Sequence, residues 1–420
     1  MDKPHIVVLG DTEQALRRLG DWKAVDQAAR VTVYSQPVHG AALLEAMQEA
    51  DVLVLLRDRI PLDAQTIAQL PRLRYLVFTG SRNTTLDAAA LAARGIPVSH
   101  TEWGPSKEST CELTWALILA ATRQLADYSA LLAQGQWRAP TPQALPGVLH
   151  GEVLGLVGLG EIGKRVAQVG KALGMQVLTW SPNMTPERAS AHGVQSVPLH
   201  ELLARAKVLS LHLVPSATTR HLINAESLAL MRPDSLLVNT SRAALIDTGA
   251  LVDALRAGRI GMAALDVFDT EPLPADSALR DCPRLLLTPH LGFVVEPVYQ
   301  TFTDGVLQCL HAFVAGELFK QGACPEHDLH RIEGDGFEFK LAGLDSGEVQ
   351  DVVEQGHQRF AGAVNGSNVV LLLFLGNSWA HEQLRHAQDG IHRCANLMAH
   401  GGQETALGEI GGFGSFLCYG

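Results

Sequence analysis

Cysteine is scarce and scattered in this chain: six residues, at 111, 282, 309, 324, 394 and 418, with no C-x-x-C pair among them. That spacing gives no support to a zinc site or a redox pair. Buried free thiols in a reducing compartment, the cytoplasm, are the expectation. Long apolar runs are missing too. The N-terminal MDKPHIVVLG has no apolar stretch followed by a cleavage site, and VVLLLFLG near 369–376 is too short to span a bilayer, so no membrane association is expected. Basic residues are in deficit: 33 Lys and Arg against 44 Asp and Glu, a formal net charge of -11. This argues against a nucleic-acid partner, which calls for a basic face. An anionic small molecule is not excluded, because it needs only one local cationic site. The 17 histidines form no H-E-x-x-H motif or tight ligand cluster, so no metal is expected.

What is present is ordinary for a folded protein: 47% hydrophobic and 18% charged residues over 420 positions, a length that allows two to three domains. IVVLG (6–10), DVLVLL (51–56) and LRYLVFTG (73–80) read as strands, separated by helical stretches such as GAALLEAMQEA. Short apolar runs alternating with helices predict a parallel sheet. From Glu108 onward, LTWALILAATRQLADYSALL reads as one long helix, apolar enough to be buried between domains or subunits. Proline-rich QWRAPTPQALPG ends it. A second α/β unit starts at about 151 with VLGLVGLGEIGKRVAQVGKALGMQVLTW and continues through KVLSLHLV, SLLVNTS, GMAALDVF and RLLLTPHL as strands. A last helical pattern covers about 296–318. The final hundred residues, rich in Gly and His, lack a strand–helix rhythm and carry seven of the histidines in no ligand pattern. A disordered or poorly packed extension is expected there.

Gly158-Leu159-Gly160-Glu161-Ile162-Gly163 follows an apolar strand and opens a helix, the context a dinucleotide fingerprint requires. Gly158 permits the tight turn, Gly160 admits a pyrophosphate to the backbone, and Gly163 lets helix and strand pack closely. The helix N-terminus then offers free N–H groups to the phosphates. The acidic residue that usually ends the second strand is absent; Ser181-Pro182-Asn183 stands there, with Arg188 a few residues on. These residues leave NAD and NADP both open.

Arg242 in LLVNTSR, Glu271 in ALDVFDTEP and His290 in LLLTPHLG lie at or just past strand ends, where ligands bind in open α/β sheets. Together they supply a chemistry. Hydride arriving at a ketone carbon leaves charge on oxygen, which a protonated histidine neutralises. A carboxylate beside the imidazole orients it and favours its charged form. An arginine holds a substrate carboxylate and polarises the keto oxygen.

These residues carry a resemblance. The segments VLGLVGLGEIGKRVAQVGKALGM, LSLHLVPSATTRHLI, LLVNTSRAALIDTGALVDAL, AALDVFDTEPLP and LLLTPHLG are similar to those of the D-isomer-specific 2-hydroxyacid dehydrogenases, which include phosphoglycerate, glyoxylate and hydroxypyruvate enzymes. The likeness covers about 5–318. It implies an α/β fold of two Rossmann-like or flavodoxin-like domains with parallel sheets and a cleft between them, plus an irregular C-terminal tail. Residues 1–100 with 292–320 would form a discontinuous substrate-binding domain, 101–291 the NAD(P)-binding domain, and 321–420 the extension. By the same likeness Arg242 binds substrate and Glu271 and His290 are the carboxylate–histidine pair. Asp266 contacts the nicotinamide side of the cofactor. Glu161, Ile162, Ser181, Pro215 and Thr240 line the cofactor site, and the likeness implies NAD as the cofactor, with NADP possible. Gly80 and Ser81 belong to a loop whose N–H groups receive the substrate carboxylate, and Arg57 faces the cleft. The partners implied are a small 2-hydroxy or 2-keto acid and a second copy of the chain, a homodimer through the cofactor domain. Two departures stand out: Ala243 replaces a common Gly, and WGPSKES replaces a glycine-rich loop. A rival from another class is a dinucleotide-sensing, corepressor-like interaction protein of the same superfamily; another is a cofactor binder without turnover. A zinc alcohol dehydrogenase is disfavoured for want of clustered ligands.

Overall fold

The computed structural model describes residues 3–138 and 145–317. The extension expected at 321–420, and residues 139–144 of the proline-rich segment, lie outside the described residues. The chain opens with β1 (His5–Leu9), α1 (Ala15–Leu19), α2 (Lys23–Ala28), β2 (Arg30–Tyr34), α3 (Gly40–Gln48), β3 (Val52–Leu55), α4 (Ala64–Ala68), β4 (Tyr75–Phe78), α5 (Ala88–Ala93) and β5 (Val98–His100). These strands form a five-stranded parallel sheet in the order β2-β1-β3-β4-β5. The strands HIVVL, VLVL and YLVF are buried at every position, because both faces of the sheet are covered. Val7, Leu9, Leu53 and Leu55 enter one core. Ile6, Val8, Val52 and Val54 enter the opposite one. This is the two-residue alternation of a pleated strand.

The second sheet follows α6 (Ser106–Arg123) and α7 (Leu125–Ala133). It is built from β6 (Val153–Val157), α8 (Glu161–Ala172), β7 (Gln176–Trp180), α9 (Pro186–Ser190), β8 (Gln195–Ser196), α10 (Leu199–Arg205), β9 (Val208–Leu211), α11 (Ala225–Leu230), β10 (Leu236–Asn239), α12 (Thr248–Arg256), β11 (Met262–Leu265) and β12 (Leu285–Leu287). The order is β12-β11-β10-β9-β6-β7-β8, all parallel. Strand order reverses beside β6, with β7 on one side and β9 on the other. A ligand crevice is expected at the carboxyl ends of these strands. The chain then returns as α13 (Glu296–Val314). Val298, Phe302, Val306, Leu310 and Phe313 of this helix share a core with the first sheet, and Phe313 stacks on Tyr75 at 5.6 Å between ring centroids.

The apolar run after Glu108 is not one helix. It breaks at Gln124, which adopts a left-handed conformation (φ 52, ψ 40) and bonds its N–H back to Ala120 and Ala121. Cys111, Thr114, Trp115, Ile118 and Ala121 of α6 are buried against the second sheet, whereas no residue of α7 is buried. Uniform apolarity could not separate a core helix from the surface helix that continues it.

Candidate active site

The glycine turn sits at the reversal point, between β6 and α8. Gly158 adopts φ +101, and a Cβ there would lie 2.8 Å from the His212 carbonyl oxygen at the end of β9. A Cβ on Gly163 would lie 2.5 Å from the Gly158 carbonyl oxygen. Those two positions are closed by the protein's own backbone. A Cβ on Gly160 would meet no heavy atom within 4 Å, so that position opens outward. Gly160 is also the N-cap of α8 and makes no side-chain capping bond, which leaves the first-turn N–H groups of a three-turn helix uncapped. An anionic diphosphate fits such a cradle: an open glycine face above uncapped donors.

Around this turn the expected residues take different positions. The Glu161 carboxylate turns to Arg165 (3.1 Å) and Lys164 (3.6 Å). Ile162 packs against the core shared with α6. The buried Thr240 hydroxyl bonds Thr114 of α6 at 2.8 Å. Pro215 lies on the loop after β9, half-buried. His212 on the same loop pairs with the Ser210 hydroxyl at 2.9 Å, and burial pushes its imidazole down to about 4, so it is neutral. The fingerprint alone did not point to His212.

The structure brings His290 and Glu271 together. Nδ1 of His290 lies 2.6 Å from Oε2 of Glu271, and Oε1 accepts the Phe268 N–H at 2.9 Å. Burial would push the Glu271 carboxyl up. The His290 hydrogen bond and charge, the Phe268 N–H and Arg242 outweigh it, and the group sits below its ordinary range. With Nδ1 committed to the carboxylate, Nε2 is the nitrogen left for a ligand. His290 itself has φ +55, a conformation that side-chain-bearing residues adopt rarely. Asp266 holds the backbone just after it: its carboxylate accepts the Leu291 N–H (2.7 Å), the Gly292 N–H (2.9 Å) and the Thr288 hydroxyl (2.6 Å). Asp266 therefore shapes the histidine loop. Its carboxyl is raised by burial, although those three donors oppose it.

Arg242 lies on the loop after β10 and reaches the first sheet's side, its guanidinium 3.9 Å from Asp58. Arg57, next to Asp58, is 8% exposed and has φ +58. Its guanidinium lies 3.7 Å from the Trp103 ring centroid and 5.5 Å from that of Phe293. Its Nε has no hydrogen-bond partner. Burial, with Arg242 and Arg59 nearby, pushes this group down to about 10, so it remains a cation at neutral pH. Gly80 covers it: a Cβ there would meet Arg57 Nη1 at 2.5 Å. The Gly80 N–H is engaged by the Thr101 hydroxyl at 2.9 Å, and the Ser81 hydroxyl accepts from Trp103 Nε1. Sequence reasoning missed Trp103 and Phe293. The signal for Trp103 was the unusual WGPSKES loop; Phe293, whose ring stands edge-on to His290 at 5.6 Å, gave none beyond its place three residues after the histidine.

Comparison with known proteins follows the same lines. Residues 115–292 match the family model described as D-isomer specific 2-hydroxyacid dehydrogenase, NAD binding domain. A glyoxylate reductase of Aeropyrum pernix is 39% identical over 325 residues, 76% of this chain and 95% of that one. A D-3-phosphoglycerate dehydrogenase of Mycobacterium bovis is 36% identical over 66% of this chain, which spans only 51% of that relative. The crystal structure of a phosphoglycerate oxidoreductase from Vibrio cholerae superposes with a TM-score of 0.68 at 34% identity, over 75% of this chain and all of that one. The chain belongs to the D-isomer-specific 2-hydroxyacid dehydrogenases, NAD(P)-dependent oxidoreductases of small 2-hydroxy and 2-keto acids.

Proposed function

We propose that this protein reduces a small 2-keto acid such as glyoxylate or hydroxypyruvate, with His290 as acid–base group, Glu271 as its partner and Arg242 as the substrate-binding cation. The contact that carries this reading is the 2.6 Å bond between His290 and Glu271, on the same side as the loop of Arg242. When bound, the nicotinamide cofactor supplies the hydride, or accepts it in the reverse direction. His290, protonated, gives its Nε2 proton to the carbonyl oxygen as charge gathers there; run backwards, neutral His290 takes the hydroxyl proton. Glu271 fixes the imidazole by Nδ1 and stabilises the imidazolium. Arg242 holds the carboxylate of the substrate and draws charge toward the keto oxygen. Arg57, Gly80 and Ser81 form the floor of the substrate side, and the buried cation of Arg57 adds to its pull on an anion.

Residues 1–100 with 292–320 are assigned as the substrate-binding domain and 101–291 as the NAD(P)-binding domain. The core that α13 shares with the first sheet supports this division. A phosphorylated substrate is disfavoured. Arg59, one cation such a group would need, is held by both oxygens of Glu13 (2.7 and 2.8 Å), which also receives the Tyr299 hydroxyl at 2.7 Å. The chain is assigned to the cytoplasm and to a homodimer. Support for the first is three buried cysteines, Cys111, Cys282 and Cys309, that form no disulfide among the described residues.

Nicotinamide absorbance, followed with glyoxylate, hydroxypyruvate, pyruvate and phosphohydroxypyruvate, tests the reading. Turnover with one small keto acid is expected, with His290→Ala slower by about 10²–10⁴-fold and unchanged in cofactor affinity. A folded protein that binds cofactor yet turns over no keto acid would instead favour a dinucleotide-sensing interaction protein.

A further inference from the structure

His290 and Arg242 ride on separate loops, which follow β12 and β10, with β11 between those strands in the sheet. One substrate has to meet both side chains, so the spacing of the two loops must be held. Both are tied to the same helix, α6. The Ser109 hydroxyl donates to the Gly292 carbonyl at 2.8 Å. Thr110 Oγ1 reaches the same oxygen at 3.1 Å, and the Ser106 carbonyl at 2.8 Å. Gly292 lies two residues past His290, and its N–H is held by the Asp266 carboxylate at 2.9 Å. One turn further along α6, the Thr114 hydroxyl meets the Thr240 hydroxyl at 2.8 Å. Thr114 also donates to the Thr110 carbonyl at 2.7 Å. A hydroxyl has one proton, so Thr240 is the donor to Thr114. Thr240 lies two residues before Arg242, whose carbonyl accepts from the Asn239 carboxamide at 2.9 Å. A hydroxyl inside a helix ordinarily bonds the carbonyl one turn back and nothing else. Ser109 and Thr114 instead reach other elements, and at 6% and 0% exposed they do so out of contact with solvent, where a hydrogen bond is costly to leave unmade.

We propose that Ser109 and Thr114 are positioning residues, and that α6 sets the spacing between the acid–base histidine and the substrate-binding arginine. The inference rests on the roles assigned to His290 and Arg242 above. A helix rises about 1.5 Å per residue, so the two ties stand roughly 7–8 Å apart on one rigid rod. Each acts through a different loop. Ser109 fixes the backbone that follows His290, and so the place from which the proton is given. Thr114 fixes the backbone that precedes Arg242, and so the place where the substrate carboxylate is held. A misplacement of about 1 Å is enough to slow a reaction strongly.

Thr114→Val keeps the shape of the side chain and removes its hydroxyl; Thr114→Ser returns the hydroxyl. Oxamate, a carboxylate that cannot be reduced, reads the Arg242 side by calorimetry on the full chain saturated with reduced nicotinamide cofactor. Thr114→Val should bind oxamate about ten-fold more weakly and raise KM for the keto acid in step, with cofactor affinity within about two-fold of the parent. Thr114→Ser should bind oxamate within about two-fold of the parent. Ser109→Ala should do the reverse: kcat lower by about ten-fold with a larger solvent deuterium isotope effect, because proton transfer from His290 is slowed, and oxamate affinity within about two-fold. Variants that match the parent in both readouts, while His290→Ala is slow, would overturn the proposal and leave the function standing. Cofactor and oxamate weakened alike, with a lower Tm, would make the two ties merely structural and overturn it as well. If the folded parent turns over no keto acid, the roles of His290 and Arg242 fail and the proposal falls with them.

Discussion

Glu271 illustrates how one carboxylate is tuned by its neighbours. Burial alone would raise its pKa, yet the His290 contact, the Phe268 N–H and Arg242 bring it below the ordinary 4.5. A carboxyl whose folded pKa is depressed keeps its charge as pH falls through the ordinary value, and loses it only lower, as pH passes through the depressed one. The Glu271 carboxylate therefore keeps its charge as pH falls through 4.5 and loses it only lower, together with the stability that charge contributes. Glu271→Gln keeps the shape and removes the charge. It should lower kcat by about 10–100-fold across the pH range and abolish any acid limb due to this carboxyl, with cofactor affinity unchanged. The pH–rate profiles of the two proteins decide this; a variant within two-fold of the parent kcat would remove Glu271 from the chemistry. The placing of Arg242, Glu271 and His290 in loops just past strands was legible in the sequence, because each follows an apolar strand within a recognisable segment. The surroundings of Arg57 were not. Trp103 and Phe293 meet its guanidinium from loops about 50 and 240 residues away in the chain, and no local pattern encodes such pairings. Nor could the sequence show that Arg59 is spent on Glu13, with Tyr299 reaching the same carboxylate from α13.

Among the elements, β6, the glycine turn and α8 are the most legible, because their requirements are local: a tight turn, an open face and a close helix–strand contact within six residues. The structure separates these roles. Gly158 and Gly163 are hemmed in by backbone, whereas Gly160 faces open space. Gly160→Val should therefore leave the fold nearly unchanged, with Tm within about 2 °C of the parent, yet reduce dinucleotide affinity at least about ten-fold by blocking the approach to the backbone. Thermal melts and cofactor titration read the two effects separately. A large loss of Tm would assign Gly160 a structural role, and an unchanged affinity would place the phosphates elsewhere. Edge and short strands were poorly legible. β2 is half-exposed, β5 has three residues and β8 two, too few for an apolar pattern to rise above its surroundings. Gln124 gave no signal either, since a left-handed Gln looks like any helical Gln until the backbone is seen.

At the scale of the molecule, the division into two sheets follows from where the apolar strands fall, but the return of α13 to the first core requires a contact across nearly the whole described chain. The long apolar segment from Leu113 to Leu132 raised the expectation of a buried partner, and the structure divides that expectation. α6 finds its partner in the second sheet. α7 finds none within the described chain: Leu125 and Leu132 are 55% and 56% exposed, and Trp137, Leu145 and Val148 beyond it are 78%, 90% and 71% exposed. Large apolar side chains exposed together would be a candidate association surface. A second copy of the chain, contributing the same stretch across a two-fold axis, would cover them reciprocally. Sedimentation equilibrium of the full chain should then give a dimer, and Leu132→Asp combined with Trp137→Asp should give a monomer with its fold retained, since both positions are exposed and support no core of the single chain. A dimer indifferent to the two charges would move the interface to another face. A parent protein that sediments as a monomer would mean that this apolar stretch is covered by something other than a second copy.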